Sequence, residues 1–193
     1  MSTAERLYAG ANAAARREER RERLLRAGLD LIGTVGYDST TVHGIAARAG
    51  VGDRYFYEHF SGRAEFLVAV YDAVVATVQE AAVNAYLSAG SDLESQARAG
   101  LTAFVHTLTD DPRLARIQLI ESVGRGGAIE SRRSEVMRQY AQLLETQARE
   151  LLADKAPDDQ SLMMGTRALV GATNQLVMDY ANGDLDVDRD RLI

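Results

Sequence analysis

Apolar residues recur at intervals of three and four along most of the chain, a pattern that predicts amphipathic helices. The first apolar stripe ends at Gly36, a residue type that commonly terminates helices. It consists of Leu24, Ala27, Gly28, Leu31, Ile32 and Val35. The second begins after Thr41, whose hydroxyl can cap a helix, and ends before Gly50. It consists of Val42, Ile45, Ala46 and Ala49.

The stretch from Thr40 to Phe60 predicts two short helices joined by a tight turn. Gly50 can adopt the left-handed conformation that closes a helix, and Val51 supplies an apolar contact within the turn. On the second helix Phe56 and Phe60 are four residues apart and are expected to face inward. The outward side is then polar and aromatic, a surface suited to phosphates and base edges. It carries Arg54, Tyr55, Tyr57, Glu58 and His59.

The rest of the chain continues the helical pattern, so we predict an all-α protein. A long helix is expected from Ser61 to Leu87, and the later breaks fall at glycine- or proline-containing segments. The helices predicted between those breaks are 91–109, 112–123, 128–153 and 158–182.

Composition supports this class and limits the chemistry. The chain has 193 residues, two prolines and no cysteine, which rules out disulfides and zinc-thiolate sites. Its net charge is −6, but residues 1–63 carry +2 and the remainder −8, the asymmetry expected when one end approaches a polyanion. Residues 1–15 lack the apolar core of a signal peptide, and no run of 18 apolar residues occurs, so we expect a cytoplasmic protein without membrane association.

The head of the chain resembles the TetR family of transcriptional repressors over roughly residues 20–70. The residues that carry the resemblance are Gly36-Tyr37, Thr40-Thr41-Val42, Ile45-Ala46, Ala49-Gly50-Val51, Tyr57, His59-Phe60 and Arg63. It implies a three-helix DNA-binding head with a helix-turn-helix, followed by a helical bundle for effector binding and dimerisation. The expected divisions are a flexible arm at 1–19, the DNA-binding domain at 20–65 and the effector and dimerisation domain at 66–193.

The resemblance and the side-chain chemistry together assign roles in DNA binding. Thr41 lies at a helix start, where it can cap the helix, contact a phosphate, or do both. Tyr57, His59 and Arg63 match positions at which the family contacts the DNA backbone, although the family usually has lysine where this chain has Arg63. The leading edge of the recognition helix, where bases are normally read, consists of Gly52, Asp53, Arg54 and Tyr55.

Two assignments in the head stay open. Asp53 can accept a hydrogen bond from cytosine or can cap its helix, and it repels phosphates. The arginines between Arg16 and Arg26 are interleaved with glutamates, so they form either an arm that contacts DNA or a solvated helix face held by ion pairs.

The helix predicted over residues 158–182 is apolar on two faces, which indicates burial on two sides. One face would close its own domain and the other would meet a second copy in a four-helix bundle; a central helix in a monomeric bundle is the alternative. The expected dimer interface comprises Leu162, Leu169, Val170, Leu176, Val177 and Tyr180.

An effector pocket is predicted from apolar, aromatic and hydrogen-bonding residues on the helices that would enclose a cavity. Each of them could instead be ordinary core or interface. They are Phe104, Gln118, Glu121, Met137, Tyr140, Asn174 and Met178. His106 is the only histidine outside the head and has no second ligand at metal spacing, so neither a metal nor another cofactor is expected.

The sequence therefore predicts a homodimeric repressor that binds a palindromic double-stranded operator and is released by an apolar or amphipathic small molecule. A ligand sensor or protein-interaction module of the same fold that no longer reads DNA is the alternative, and activation in place of repression stays open. The motifs of common enzymes are absent, and Gly124-Arg125-Gly126-Gly127 lies between predicted helices, where a dinucleotide fingerprint cannot work, so we do not expect an enzyme.

Overall fold

A computed structural model describes the backbone of residues 3–193 and the side chains from Ala14 onward. The described backbone consists of helices, turns and loops, without strands. Eight α-helices follow one another: α1 (Thr3–Val35), α2 (Val42–Ala49), α3 (Asp53–Tyr57), α4 (Arg63–Ser88), α5 (Leu93–Asp110), α6 (Pro112–Ala115), α7 (Gly127–Leu152) and α8 (Asp159–Asn182). A π-helix, Arg116–Glu121, continues α6, and short 3₁₀ turns occupy Ala153–Lys155 and Arg189–Leu192.

The chain separates into two compact units. We call the part up to Val70 the head unit and Tyr71–Ile193 the body unit. Helix α4 begins in the head unit and ends in the body unit.

The core of the head unit is built around three phenylalanines from successive elements. Phe56 on α3, Phe60 after it and Phe66 on α4 are buried, with ring centroids 4.9–5.5 Å apart. The apolar stripes of α1 and α2 close this core, as their spacing predicted: Leu24, Ala27, Ile32, Ile45, Ala46 and Ala49 are all buried.

In the body unit, α7 packs against α8, and α5 contacts α6, α7 and α8. Helix α4 is long and apolar enough to cross a membrane by length and composition alone, with a mean hydropathy of 1.6 in its most apolar window. Seven of its apolar side chains are nevertheless buried inside the protein, whereas Val83 and Leu87 near its end are exposed. Phe66, Leu67, Val70, Tyr71, Val74, Val75 and Val78 are each at most 3% exposed.

Three local features differ from the sequence expectations. The first two residues of the predicted arm lie outside the described residues, and residues 14–19 belong to α1 without a break. The recognition helix α3 is only five residues long, so Phe60 reaches the core from the turn that follows it. The helix predicted over residues 112–123 is interrupted, because α6 passes into the π-helix after four residues.

Gly28 lies where α1 meets α4. A β-carbon added there would be 2.6 Å from the Phe66 ring and 2.7 Å from Val70, so the close approach of the two helices requires glycine.

We expect Gly28→Ala to destabilise the protein by about 1–3 kcal/mol, because the added methyl group overpacks the core against a rigid ring. Urea unfolding followed by circular dichroism would measure the change. The matched control is Gly100→Ala in α5, where a β-carbon meets only ordinary contacts of 3.5 Å and beyond and the better helix former should stabilise by up to about 1 kcal/mol. Equal stabilisation by both alanines would show that Gly28 is not sterically required.

Candidate nucleic-acid interface and ligand cavity

The turn between α2 and α3 has the geometry that its sequence predicts. Thr41 is extended, and its Oγ1 accepts a hydrogen bond from the Gly44 backbone N–H at 3.0 Å, so it caps α2. Gly50 closes the helix in the left-handed conformation, with φ of 65°, and Val51 N–H donates back to the Ala46 carbonyl at 3.0 Å. The predicted helix-turn-helix is thereby confirmed.

Arg23 on α1 secures this turn from outside. Its Nε donates to the Ala49 carbonyl at 2.9 Å and its Nη2 donates to the Gly50 carbonyl at 2.8 Å. These are carbonyls at the carboxyl end of α2, where unpaired acceptors and the negative end of the helix dipole favour a cation. Arg23 is therefore a structural clamp on the turn.

Other arginines of the same helix hold α3 and the turn after it. Arg17 Nη2 donates to the Glu58 carbonyl at 3.0 Å, at the end of α3, and the Arg20 guanidinium lies 4.8 Å from the Tyr55 ring centroid. Arg21 lies 5.8 Å from the Phe60 ring centroid and pairs with Glu18 at 3.6 Å. The arginine-rich segment thus includes the predicted kind of ion pair, but most of these contacts hold the head together.

The exposed side of α3 carries the residues with the greatest freedom to meet a partner. The Arg54 side chain is 89% exposed and pairs with Glu58 at 3.2 Å, and Tyr57 is 60% exposed. Gly52 precedes the helix, and no atom lies within 4 Å of where its β-carbon would be, so another backbone can approach closely. This edge offers a guanidinium, two phenols and open backbone.

Asp53 is the first residue of α3, and its carboxylate lies 3.2 Å from His43 Nδ1 on α2. The residue at the N-cap position is Gly52, which makes no side-chain cap, so the interpretation of Asp53 as the helix cap is wrong. His43 was missed by the sequence analysis. The apolar positions of α2 could have found it, because they leave His43 on the outward side beside the turn.

The last two predicted DNA-binding residues, His59 and Arg63, are half-buried. His59 Nε2 is buried without a hydrogen-bond partner. The Arg63 guanidinium stacks 4.5 Å from the Tyr37 ring centroid and donates to the Tyr37 carbonyl. The structure therefore brings Thr41, Gly52, Asp53, Arg54, Tyr55 and Tyr57 to the surface, and holds Arg63 against the loop before α2.

The body unit contains a cavity of about 500 Å³. Five of the seven predicted effector residues line it: Gln118, Met137, Tyr140, Asn174 and Met178. The other lining residues are Tyr71, Leu119, Ile120, Val123, Arg133, Val136, Gly171 and Gln175. Volumes of this size are typical of small-molecule sites.

The two other predicted effector residues are placed differently. Phe104 packs edge-on against the Tyr140 ring, with centroids 5.7 Å apart, and so supports the cavity wall. Glu121 is 5% exposed and lies between two arginines: Arg116 Nε at 3.2 Å and Arg125 Nη2 at 2.6 Å. These ion pairs explain how a carboxylate is buried here, at the end of the π-helix.

The predicted dimer residues do not share one exposed face. Leu162, Val170 and Val177 are at most 7% exposed within a single chain, because they face the body core, and this corrects their assignment to the interface. Leu169 and Leu176 are exposed, and Tyr180 is half-buried. The exposed apolar and small residues of α8 include Met164, Gly165, Ala168, Leu169, Ala172 and Leu176.

Comparison with known proteins places this geometry in a family. Residues 24–70 match the sequence model of the bacterial regulatory proteins of the tetR family. This match covers the turn, α3 and the start of α4.

The amino-terminal domain is a TetR-family DNA-binding domain.

Solved structures extend the likeness to the whole TetR fold. The fatty acid degradation regulator FadR from Bacillus halodurans is 19% identical with a TM-score of 0.75, and the alignment covers 90% of each chain. FadR from Bacillus subtilis, solved in complex with stearoyl-CoA, is 17% identical with a TM-score of 0.77, covering 89% of this chain and 92% of that one. A TetR-like regulator from Rhodococcus sp. RHA1 is 22% identical with a TM-score of 0.65, covering 90% and 91%. No curated protein matches the chain in sequence.

The match assigns residues 24–70 to a family of bacterial regulatory proteins. Among the described residues no group of three or more histidines and carboxylates could hold a metal ion. His106 Nε2 instead lies 3.2 Å from Asp190 Oδ1 in the body unit.

His59 makes the stability of the head unit depend on pH. Burial, followed by the positive charges of Arg17, Arg20 and Arg21, lowers the pKa of His59 below its ordinary value of 6.5. The unfolded chain therefore takes up this proton first as the pH falls below about 6.5, and the folded state loses stability.

We expect His59→Gln to reduce the loss of folding stability as the pH falls below about 6.5. Thermal unfolding of both proteins between pH 5 and 7.5 is the measurement. At pH 7.5 the difference in Tm reflects packing alone, so the informative quantity is how that difference changes with pH. A difference that stays constant down to pH 5 would show that His59 does not cause the acid sensitivity.

Proposed function

We propose that this protein is a homodimeric repressor that binds a palindromic operator through α3 and releases it when a small molecule occupies the body cavity. The observation that carries the proposal is the exposed leading edge of α3, held in place by α1 within a TetR-family domain. Its site of action is the cytoplasm, where the operator DNA lies, and it needs neither a metal nor another cofactor.

On the DNA, Arg54 and Tyr55 read bases. The Arg54 guanidinium can bond both major-groove acceptors of a guanine, and Tyr55 can contact a thymine methyl group. Thr41, at the amino-terminal end of α2, and Tyr57 contact phosphates, and the open space at Gly52 admits the sugar-phosphate backbone. His59 and Arg63 join the phosphate contacts because they match the family's positions.

The pairing of Asp53 with His43 bears on this binding. A carboxylate at the front of a recognition helix repels phosphates, and an imidazole 3.2 Å away offsets part of that repulsion when it is protonated. Asp53 can then accept from a cytosine amino group while His43 holds its carboxylate.

The response to a ligand rests on the cavity of the body unit. The stearoyl-CoA complex of Bacillus subtilis FadR shows that a protein of this fold binds a ligand with a long apolar tail, which supports an apolar or amphipathic effector here. Release requires the ligand to prefer the form of the dimer that does not fit DNA. A tenfold loss of operator affinity needs about 1.4 kcal/mol of differential binding.

The dimer forms through the exposed face of α8, with α7 beside it, as a four-helix bundle with the second copy. Leu169 and Leu176 are 53% and 42% exposed in the single chain, and the nearby small residues Gly165, Ala168 and Ala172 allow close helix approach. On α7, Leu143 and Leu151 are also more than half exposed and extend the apolar surface. The interface therefore keeps two of the six residues expected from sequence and gains their small neighbours.

A sensor of the same fold that does not read DNA is the other candidate. It is disfavoured because α3 presents an exposed guanidinium side chain and open backbone, and because the family match covers this segment. DNA binding separates the two directly.

The test is selection of bound fragments from random duplex DNA at about 0.15 M salt, followed by sequencing. We expect an inverted repeat whose half-sites lie one helical turn apart, about 34–36 Å, or a multiple of it. No enriched sequence from a folded dimer would overturn the proposal and favour the sensor.

Arg54→Ala should relax the selected sequence at one base pair in each half-site and cost about 1–3 kcal/mol on the best operator. The matched control is Arg98→Ala in the body unit, an exposed arginine in the same kind of ion pair one helical turn from a glutamate. It should leave both affinity and sequence unchanged. Uniform weakening on every duplex would instead make Arg54 a phosphate contact.

Replacing both Leu169 and Leu176 by glutamate should give monomers, with operator affinity reduced about 100-fold or more because the two heads no longer bind together. Sedimentation and operator titration would measure this. The control replaces Val83 and Leu87 of α4, which are 49% and 69% exposed, in the same way and should stay dimeric. An intact dimer in the α8 variant would place the interface elsewhere.

A further inference from the structure

Three buried polar atoms of the cavity residues have no hydrogen-bond partner in the protein. They are Gln118 Oε1 from the π-helix and, from α7, Arg133 Nε and the Tyr140 hydroxyl. The Gln118 side chain is only 4% exposed. Buried polar groups are nearly always paired, and three unpaired atoms on one cavity indicate a ligand that completes them.

The hydrogen-bonding capacity of each atom is fixed by its chemistry. Gln118 Oε1 only accepts and Arg133 Nε only donates. Burial raises the pKa of Tyr140 to about 12, against the opposing influence of the nearby Gln118 and Gln79 side chains, so the phenol keeps its proton and can donate. These two amides lie close to the hydroxyl but do not form a well-aligned hydrogen bond with it. A ligand that pairs all three atoms therefore needs one oxygen that accepts from both Arg133 Nε and the Tyr140 hydroxyl, and one hydrogen-bond donor for Gln118 Oε1.

The charge of the cavity limits the ligand further. Arg133 is the only cationic residue among those that line it, and its Nη2 already pairs with Glu130 at 2.9 Å. The pair leaves the wall close to neutral, and the Arg133 Nε–H has no acceptor within the protein. A phosphate-bearing ligand with several negative charges would find no compensating cations.

The π-helix explains how Gln118 reaches the cavity. In this geometry residues five apart face each other, and Arg116 pairs with Glu121 at 3.2 Å across one such turn. Arg125 closes the same carboxylate from the other side. Widened turns of this kind often occur at functional sites, and this one places Gln118, Leu119 and Ile120 on the cavity wall.

We infer that the cavity takes an uncharged amphipathic molecule whose polar end carries a carbonyl oxygen next to an N–H group, as in a primary amide. The carbonyl accepts from Arg133 Nε and the Tyr140 hydroxyl, and the N–H donates to Gln118 Oε1. The apolar remainder lies against Leu119, Ile120, Val123, Val136 and Met178. The regulatory meaning of this site rests on the proposed function, whereas its ligand class does not.

The test compares ligands with the same eight-carbon skeleton by calorimetric titration of the full-length protein. Octanamide offers the acceptor and the donor, octan-2-one offers only the acceptor, and octanoyl-coenzyme A carries several charges. We expect octanamide to bind about tenfold or more tightly than octan-2-one, because the ketone leaves Gln118 unpaired. Equal binding of the two, binding of none of the three, or tightest binding of octanoyl-coenzyme A would overturn the ligand class.

A variant of Gln118 tests whether the difference in affinity between octanamide and octan-2-one depends on the Gln118 side-chain oxygen. Gln118→Met keeps the volume and removes the acceptor, so octanamide should lose its advantage while octan-2-one binds as before. Gln139→Met, at an exposed glutamine of α7, should keep the advantage. A retained octanamide preference in Gln118→Met, with the fold verified by circular dichroism, would remove Gln118 from the site.

Operator release separates this inference from the proposed function. If octanamide shows the preference but leaves an operator complex intact at saturation, the ligand class stands and ligand control of the repressor fails. If the selected operator is released by octanoyl-coenzyme A and not by octanamide, the repressor stands and the ligand class fails.

Discussion

Helix α3 is too short to hold itself. Five residues make little more than one turn, and the backbone groups at both ends of a helix have no partners within it. Its position is therefore imposed by its neighbours: Phe56 is buried in the cluster of three phenylalanines, Arg17 satisfies the Glu58 carbonyl, and Arg20 covers Tyr55. Every proposed base contact depends on these supports, because Arg54 and Tyr55 can be aimed at DNA only as accurately as α3 itself is fixed.

Several arginines of the head make contacts within the protein, so they contribute less to its exposed positive charge. Arg17 and Arg23 are used on backbone carbonyls within the head, and Arg63 is held on Tyr37. The net charge of +2 over residues 1–63 therefore includes cations that are committed to internal contacts. In the proposed complex, long-range attraction to DNA depends on the smaller set of exposed cations.

The sequence was sufficient to predict the helices and the helix-turn-helix, but not every side-chain contact between them. Thr41, Gly50 and the apolar stripe of α2 defined the helix-turn-helix, because caps, helix stops and periodicity are local properties. The contacts of Arg23 with Ala49 and of His43 with Asp53 join residues 26 and ten positions apart, and such pairings follow only from packing. On α8 the pattern showed two apolar faces, yet it could not tell that Val177 faces the body core while Leu176 faces outward. Adjacent residues on a doubly apolar helix carry no local signal of which neighbour each one meets.

Gln118 and Glu121 show the same limit within one turn of the chain. Both are polar residues on a buried surface, and the sequence assigned both to the effector site. The structure gives Glu121 two arginines and leaves the Gln118 carbonyl oxygen without a partner. A buried polar group whose hydrogen bonds are all made stabilises the fold. A buried group without a partner destabilises it, and this cost is recovered only when a ligand supplies the missing hydrogen bond. The π-helix accommodates both residues. The ion pair between Arg116 and Glu121 stabilises its widened turn, and this turn places Gln118 on the cavity wall. The turn that the Arg116–Glu121 ion pair holds therefore also carries the unpaired Gln118 oxygen that we propose binds the ligand.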